Sequence, residues 1–327
     1  MKYMKTGSTD PYFNLAFEEY VLSNCKDDDY VLLWQNDNTI VFGINQNPLE
    51  EINMAIAEQE HVNIVRRTTG GGAVYHDMGN LNFSYITDWD NGETSSYARF
   101  LEPITKAFSK IGLDVVMKGR NDLLLDGKKI SGSAQRLLDG RILHHGTLLI
   151  DSDLAKIGIV LNVSEDKIKS KGIKSVRSRV TNISAYAKTK VDIEDIKKLL
   201  LDQWFDGTVN EVCFGEKELG EVRRLAEEKY RNWDWIYGRS PKFSYKKRMR
   251  FEGGSIEVNL EVEDGHISQC VIIGDFLSLK SIQDVEKAIA GTKFDAQAVA
   301  QVLDSLPLEL YFGSITKEEL MQCFQEG

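Results

Sequence analysis

The sequence predicts an α+β protein that has one large and one smaller domain. Helical patterns are interspersed with hairpin signals, whereas a doubly wound sheet would alternate strictly between strand and helix. The chain has 327 residues, which is enough for a large domain and a second, smaller one. Three Asp-Gly pairs each lie between two apolar runs, which is the strongest short-range signal for a β-hairpin. These pairs are Asp126-Gly127, Asp139-Gly140 and Asp264-Gly265.

The N-terminal part of the chain shows clear start signals and periodic patterns. Asp10 is a helix N-cap followed by Pro11 at the first helical position, and helical spacing continues beyond them. Alternation of apolar and polar residues over 80–87 predicts a half-buried strand. The predicted elements are helices at 11–24, 48–60 and 95–111 and strands at 30–34, 39–43, 62–67, 80–87 and 113–118.

The rest of the chain divides into a strand-rich part, a helical part and a second domain. The region from Asn121 to Ile150 predicts a meander of three antiparallel strands. A loop-like segment, WDWIYGRSPKFSY, leads to a domain boundary near residue 245. Residues 1–245 are therefore predicted to form the larger domain and residues 246–327 the smaller one. Helices are predicted at 152–160, 164–170, 192–205, 216–230, 281–290, 295–305 and 316–324.

Composition and charge exclude several classes of protein. A formal net charge of −10 argues against a general nucleic-acid binder, which would present a basic face. The chain has no 18-residue apolar run, and its N-terminus lacks the apolar core of a signal peptide, so we expect a cytoplasmic protein without a membrane partner. The cysteines are far apart and form no CxxC or Cys/His cluster, which predicts free thiols. They are Cys25, Cys213, Cys270 and Cys323.

One basic stretch departs from the acidic balance of the chain. From Lys167 to Arg179, lysines and arginines outnumber the neighbouring Glu165 and Asp166. The stretch is either a solvated helix and loop or a docking surface for an acidic partner, and the sequence leaves both interpretations open.

Three consecutive glycines occupy the motif RRTTGGGAVYHD at residues 66–77. Glycine is less favourable than alanine inside regular structure by about 0.5 to 1 kcal/mol, so the run either forms a slack turn or admits something close to the backbone. Neither GxxxxGK[ST] nor GxGxxG is present. Exposed N–H groups flanked by the guanidiniums of Arg66 and Arg67 predict an anion site.

A second motif, GRNDLLLDGKKISGSAQ at residues 119–135, gathers polar side chains on one hairpin. Asn121 and Asp122 precede one strand, and Lys129 lies on the returning strand. Because side chains alternate along a strand, Lys129 and Ser131 are expected on one face and Lys128 on the other. Small residues after Ser131 leave space for a ligand, and the alternative interpretation is that the two lysines decorate an ordinary turn. HHGTLLI follows on the third strand. Because no Cys or Glu is nearby, a structural or substrate-binding role is favoured over metal binding for its His145.

These motifs, together with SKGIKSVRSRVTNIS at 170–184, resemble the lipoate–protein ligases of the two-domain type in order and approximate spacing. The resemblance covers essentially the whole chain. The family more often has serine at the position of Thr69, and both residues carry a hydroxyl. The resemblance implies a biotin/lipoate–protein ligase catalytic domain, related to class II synthetase cores, with a smaller α+β C-terminal accessory domain.

The resemblance also implies a two-step reaction. Lipoate and MgATP would give lipoyl-AMP and pyrophosphate, and a lysine of an apo lipoyl-domain acceptor would then attack the mixed anhydride. The implied acceptors are 2-oxoacid dehydrogenase E2 subunits or the glycine-cleavage H protein. Since a loop-like linker precedes the smaller domain, we expect that domain to move as a unit between the two steps.

Site residues are assigned from the motifs and the resemblance together. Lys129 is predicted to be catalytic and to contact both the lipoyl carbonyl and the α-phosphate. Ligands of Mg²⁺ remain unassigned. The predicted contacts of ATP or lipoyl-AMP are Arg67, Gly70, Gly71, Gly72, Ala73, Val74, Tyr75, Asn121, Asp122 and Lys129, and those of lipoate are Arg66, Lys129, Ser131 and His145.

Three other functions are less compatible with the residues. Acyl transfer through a cysteine thioester requires an activated thiol, and no cysteine lies between Cys25 and Cys213. Biotin ligation is disfavoured because RRTTGGGAV replaces the GRGR-type loop expected of biotin ligases. A non-enzymatic lipoyl-AMP binder would not need Lys129 and Arg67.

Overall fold

A computed structural model describes most of the chain. The described residues are 1–90, 96–161, 179–187, 189, 191–237, 245–263, 265–294 and 296–324. Three predicted segments lie at least partly outside the described residues. They are the helix at 164–170, most of the basic stretch from Lys167 to Arg179, and residues 238–244 of the linker.

The described residues form helices and strands close to the predicted ones. The strands are β1 (Lys2–Met4), β2 (Tyr30–Trp34), β3 (Thr39–Phe42), β4 (Asn63–Arg66), β5 (Val74–His76), β6 (Asn80–Asp88), β7 (Val115–Lys118), β8 (Asp122–Leu125), β9 (Lys128–Leu138), β10 (Arg141–Leu149), β11 (Tyr245–Phe251), β12 (Gly254–Glu263) and β13 (His266–Gly274). The helices are α1 (Pro11–Asn24), α2 (Pro48–Glu51), α3 (Met54–Gln59), α4 (Tyr97–Lys110), α5 (Leu154–Val160), α6 (Ile193–Phe205), α7 (Glu216–Leu225), α8 (Trp233–Tyr237), α9 (Gln283–Ile289), α10 (Ala296–Asp304), α11 (Leu308–Phe312) and α12 (Lys317–Gln322). No described helix is long and apolar enough to span a bilayer.

Three sheets organise the described part of the fold. The largest has seven strands in the order β1-β2-β6-β10-β9-β8-β7, and a second sheet has the order β4-β3-β5. The third sheet, β11-β12-β13, packs with α9 to α12 around a separate C-terminal core. Most neighbouring strands pair antiparallel, and the parallel pairs β1-β2 and β3-β4 are each connected through helices. The described sheets therefore do not alternate strictly between strand and helix, which confirms the predicted α+β class with a smaller C-terminal α+β unit.

The two hairpins that build the site form as predicted. Asp126 and Gly127 have φ of 50° and 74°, and Asp139 and Gly140 have φ of 48° and 75°. Two successive residues with positive φ are what a tight type I′ hairpin turn requires, and Asp-Gly tolerates this conformation. Strands β8, β9 and β10 consequently form the antiparallel meander that carries the second and third motifs.

Two predicted helices and one strand differ from expectation. The helix predicted at 48–60 is divided into α2 and α3, because the backbone N–H of Asn53 donates to Val160 O (3.0 Å) and Asn53 caps α3. The helix predicted at 216–230 ends in a π-helical turn at Ala226–Tyr230. Strand β6 is predicted to be half-buried, but both of its faces are buried. Its polar face packs against α1 and lines one of the cavities described below.

The C-terminal unit contacts the glycine run directly. We call residues 274–279, which run from the last residue of β13 towards α9, the docking segment. Its Phe276 O accepts from the N–H of Gly71 at 3.1 Å, and its Leu279 O accepts from the N–H of Leu137 at 2.7 Å. The larger domain therefore meets the accessory domain at the residues where the sequence predicts an anion site.

Candidate active site

Two adjoining cavities lie where the motifs converge. The first, which we call the inner cavity, has a volume of about 150 Å³, and its lining includes the apolar side chains of Leu15, Trp34 and Val41 together with polar side chains such as Arg67 and His145. The outer cavity, of about 300 Å³, is lined by charged residues of the larger domain and by residues of the accessory domain. The wall common to both cavities consists of Gly71, Gly72, Ala73, Val74, Asn121, Lys129, Gly132 and Thr147.

Lys129 lies at the junction of the two cavities. Its Nζ is 2.7 Å from Asp122 Oδ1, and both groups are partly exposed. A Cβ atom added to Gly132 would lie 2.8 Å from this Nζ, so the absence of a side chain at 132 makes room for the ammonium. Lys128 is exposed and lines neither cavity, as expected from side-chain alternation. Ser131 lines the outer cavity.

The three glycines have three different surroundings. Gly70 lines neither cavity, because it packs on the docking segment: an added Cβ would lie 2.7 Å from Phe276 O and 3.0 Å from Ser278 N. Gly71 has φ of 88°, a conformation that favours glycine. Gly72 has nothing within 4 Å of an added Cβ and borders both cavities. Close approach to a ligand is therefore possible at Gly71 and Gly72, whereas Gly70 contacts the accessory domain and its predicted nucleotide contact stays a prediction.

We expect Gly70→Ala to loosen the accessory domain. The atoms that a methyl group would meet belong to backbone, which cannot give way as a flexible side chain can. Small-angle scattering should show a more extended average shape for Gly70→Ala than for the wild type. Gly72→Ala is the matched control, since its methyl group enters open space, and equal profiles for the two variants would contradict the assigned contact.

Arg67 braces the glycine run from the inner cavity. Its Nη2 donates to Gly70 O at 2.5 Å and to Gly72 O at 2.9 Å, and its Nε donates to Thr69 Oγ1 at 2.9 Å. Burial lowers the pKa of Arg67 to about 10, so the guanidinium still carries its charge at neutral pH. The site therefore holds a fixed positive charge beside the glycines.

Arg66 lines neither cavity, and its predicted contact with lipoate stays a prediction. The side chain is 1% exposed, and its guanidinium donates to backbone carbonyls at 2.7 to 2.8 Å. Because consecutive residues at the end of β4 point in opposite directions, Arg66 is directed away when Arg67 faces the site. Arg66 instead joins β4 to α8 and the loop after β3, and the carbonyls that it binds belong to Ile44, Gln46, Trp235 and Ile236.

A buried polar chain extends from Arg67 to α1. Thr69 Oγ1 lies 2.8 Å from His145 Nε2, and His145 Nδ1 lies 2.9 Å from Glu18 Oε1. The same carboxylate oxygen accepts from Ser84 Oγ at 2.5 Å. His145 lines the inner cavity, so this chain fixes its ring there. Glu18 was not predicted, although a carboxylate three residues after Leu15 and four before Leu22, on the buried face of α1, was a possible signal.

His76 and Asn82 are further inner-cavity residues that the sequence analysis did not assign. Burial, with a smaller contribution from the charge of Arg67, lowers the pKa of His76 to about 3, so its ring is neutral. Its Nδ1 lies 3.2 Å from Asn36 Nδ2. Within the described part of the chain, His76 Nε2 and Asn82 Nδ2 have no hydrogen-bond partner, which leaves both for a ligand. His76 is part of the first motif, so its position was already a signal.

The remaining predicted residues are distributed along the outer cavity. Asn121 borders both cavities, and its Nδ2 donates to Ser133 O at 2.6 Å. Tyr75 lines the outer cavity and donates to Asn38 Oδ1 at 2.9 Å, and burial raises the pKa of its hydroxyl. Among the described residues, no group of three or more His, Cys, Asp or Glu side chains could hold a metal ion.

Two family models together match nearly the whole chain. The model described as the lipoyl protein ligase A/B catalytic domain matches residues 10–205, which include both cavity motifs and Lys129. The model described as the bacterial lipoate protein ligase C-terminus matches residues 240–324. The fold and site therefore define a ligase of the class that modifies proteins with lipoate.

Full-length relatives agree with these matches. A lipoate-protein ligase of Bacillus subtilis (strain 168) is 43% identical over 317 residues, covering 95% of this chain and 96% of its own. Lipoate–protein ligase 1 of Staphylococcus aureus (strain Mu50) is 40% identical over 325 residues, covering 98% and 99% of the two chains. The chain belongs to the lipoate–protein ligase family.

Solved structures share the fold. LipL1 of P. falciparum in complex with lipoate has a TM-score of 0.79 at 23% identity and covers 93% of this chain and 94% of its own. A lipoate-protein ligase A bound with ATP has a TM-score of 0.64 at 25% identity and covers 73% and 99%. A bipartite ligase from Thermoplasma acidophilum, described with its E2 lipoyl domain, has a TM-score of 0.66 at 28% identity and covers 75% and 98%.

Proposed function

We propose that this chain activates lipoate with ATP and transfers the lipoyl group to a lysine of an acceptor domain. The observation that carries this proposal is the position of Lys129 in the wall shared by the inner cavity, part of whose lining is apolar, and the charged outer cavity. The inner cavity suits an acyl chain, and the outer cavity suits a nucleotide. Family membership and the ATP-bound and lipoate-bound relatives support the same assignment.

The first step joins the two substrates at Lys129. A carboxylate oxygen of lipoate forms a bond to the α-phosphorus of ATP, the bond from that phosphorus to the bridging oxygen breaks, and pyrophosphate leaves with the electron pair. Two anions approach each other, so fixed cations and N–H donors at that point stabilise the transition state most. Lys129 and Arg67 supply the charge, and the backbone at Gly71 and Gly72 lies close to the adenylate.

The second step releases AMP. The lysine amine of the acceptor attacks the lipoyl carbonyl carbon, the bond to the phosphate oxygen breaks, and the amine loses a proton. We propose E2 subunits of 2-oxoacid dehydrogenases or the glycine-cleavage H protein as acceptors, and the archaeal ligase described with an E2 lipoyl domain supports the first. Closure of the outer cavity by the accessory domain would shield the anhydride from water.

The site assignments follow the sequence motifs, and they do not divide strictly by cavity, since Arg67 lines the inner cavity and Ser131 the outer one. We assign Lys129 as catalytic residue. Mg²⁺ would enter with ATP and would be held mainly by its phosphates, and Asp122 lies 2.7 Å from Lys129 Nζ. The division into residues 1–245 and 246–327 and the cytoplasmic location remain predictions from the sequence. The proposed contacts are Arg67, Gly71, Gly72, Ala73, Val74, Tyr75, Asn121, Asp122 and Lys129 for the nucleotide, and Lys129, Ser131 and His145 for lipoate.

One assay pair tests the proposed function. Purified protein with ATP and lipoate should release pyrophosphate, and addition of an apo lipoyl domain should give a lipoylated lysine. Pyrophosphate release without transfer would mean that the protein forms and retains lipoyl-AMP but does not complete the second step. No release of pyrophosphate with lipoate would contradict the proposal, and replacement of lipoate by biotin in the same assay is the control for the related ligase reaction.

The basic stretch from Lys167 to Arg179 gives a prediction for the second step. Reversal of Lys169 and Lys171 to glutamate should raise the KM for an acidic acceptor domain and leave lipoyl-AMP formation intact. Charge steering acts mainly on association and weakens with salt, because the Debye length is about 8 Å at physiological ionic strength. An acceptor KM that neither changes nor depends on salt would show that the stretch is a solvated surface.

A further inference from the structure

The accessory domain contributes charged side chains to the outer cavity. Arg250 of β11 and Asp275 of the docking segment both line it, next to Gly254 and Leu277. The Arg250 side chain is 20% exposed, and its Nη1 lies 3.5 Å from Asp275 Oδ2. This distance is at the outer limit of a hydrogen bond, so the pair is close enough to orient the guanidinium but is not a tight bidentate pair.

Hydrogen bonds fix the position of Asp275 relative to the wall common to both cavities. Asp275 Oδ1 accepts from the N–H of Ser255 at 2.6 Å and from Ser255 Oγ at 2.7 Å. The next residue, Phe276, accepts from Gly71 in the wall of both cavities. The contact of the docking segment with the glycine run therefore places Asp275 and Arg250 beside the larger domain.

Charges of both signs surround the outer cavity. The cations of the larger domain are Arg120, Lys129 and Arg179, and the carboxylates of the lining are Glu51, Asp122 and Asp275. Arg120 also donates to Gly253 O of the accessory domain. A polyphosphate carries several negative charges and matches the planar fork of a guanidinium, so it is the ligand chemistry that these three cations and Arg250 recognise, although carboxylates lie among them.

We propose that Arg250 contacts the β- and γ-phosphates of ATP and then the departing pyrophosphate. The contact rests on the proposed function and deepens it, because it makes the accessory domain part of the nucleotide site. The phosphates compete with Asp275 for the guanidinium and bridge the two domains. Once pyrophosphate leaves, the bridge is lost, whereas lipoyl-AMP makes no contact with Arg250.

Arg250→Met tests this contact, with Arg248→Met as the matched control. Arg248 lies two residues earlier on the same face of β11, lines neither cavity and has Nη1 4.0 Å from Glu257 Oε2. We expect Arg250→Met to lower kcat/KM for ATP in lipoyl-AMP formation by about 10²-fold, the lower end for loss of one preorganised donor. Transfer from synthetic lipoyl-AMP should be unchanged, and Arg248→Met should match the wild type in both assays.

Two further measurements keep the outcomes distinct. Arg250→Lys should recover part of the wild-type kcat/KM for ATP, since it restores the charge without the planar fork of the guanidinium. Inorganic pyrophosphate should inhibit the wild type more strongly than it inhibits Arg250→Met. The inference would be overturned if Arg250→Met kept the wild-type kcat/KM for ATP. It would also be overturned if this variant lost equal activity in lipoyl-AMP formation and in transfer from lipoyl-AMP. Failure of the wild type itself to form lipoyl-AMP would instead overturn the proposed function.

Discussion

Replacing Lys129 by methionine is expected to slow lipoyl-AMP formation by about 10²- to 10³-fold, the usual effect of losing one preorganised donor. Methionine keeps most of the aliphatic stem, so folding should survive while the developing charge at the α-phosphate loses its counter-charge. Single-turnover lipoyl-AMP formation and transfer from synthetic lipoyl-AMP are the two measurements, because Lys129 is assigned to both reacting centres.

Lys128→Met is the matched control for this experiment. Lys128 precedes Lys129 on β9, is exposed and lines neither cavity. Surface substitutions of this kind usually change stability by no more than about 0.5 kcal/mol, and we expect activity to fall less than about tenfold. Equal activity of the two variants, or a larger defect in Lys128→Met, would refute both the side-chain direction and the role of Lys129.

The second large effect is expected from Gly132→Ala, through Lys129. The added methyl group would lie 2.8 Å from Lys129 Nζ and 3.0 Å from its Cε, so the ammonium has to move away from the junction. Because only the flexible end of a lysine is displaced, thermal unfolding should change little. A misplacement of about 1 Å can lower a rate by about 10²-fold, which is the size of defect that we expect in lipoyl-AMP formation.

A double-mutant cycle separates this mechanism from a general disturbance of β9. If Gly132→Ala acts by displacing Lys129, it should add little to the defect of Lys129→Met, since the group it displaces is already absent. Additive defects would show that position 132 acts independently of Lys129. Gly158→Ala, where an added Cβ meets nothing within 4 Å, is the control for a Gly→Ala change elsewhere.

Local signals predicted the scaffold of the site from sequence. The Asp-Gly pairs predict the meander because a type I′ turn depends on the conformations of two adjacent residues. Helix α1 was predicted from Asp10 and Pro11, and the structure confirms the cap, with Asp10 accepting from the N–H of Tyr12. Such features depend on few neighbouring residues, so a single sequence contains the information.

Features that depend on distant segments were less predictable. Arg66 and Arg67 look equivalent in the motif, and only packing shows that the first binds carbonyls around α8. Gly70 and Gly72 are equivalent in the sequence motif, but in the structure Gly70 contacts the docking segment, which follows it in the chain by about two hundred residues. The contact between Glu18 and His145 joins residues 127 apart, and no local pattern reveals such a pair.

A crystal structure with a non-hydrolysable lipoyl-adenylate analogue tests the central claim most directly. We predict the dithiolane end in the inner cavity against Leu15, Trp34 and Val41, and the adenosine in the outer cavity beside Ala73 to Tyr75. The linking group should lie within about 3 Å of Lys129 Nζ, a normal hydrogen-bond distance. An analogue bound in the reverse direction, or with its linking group beyond the reach of Lys129, would contradict the account.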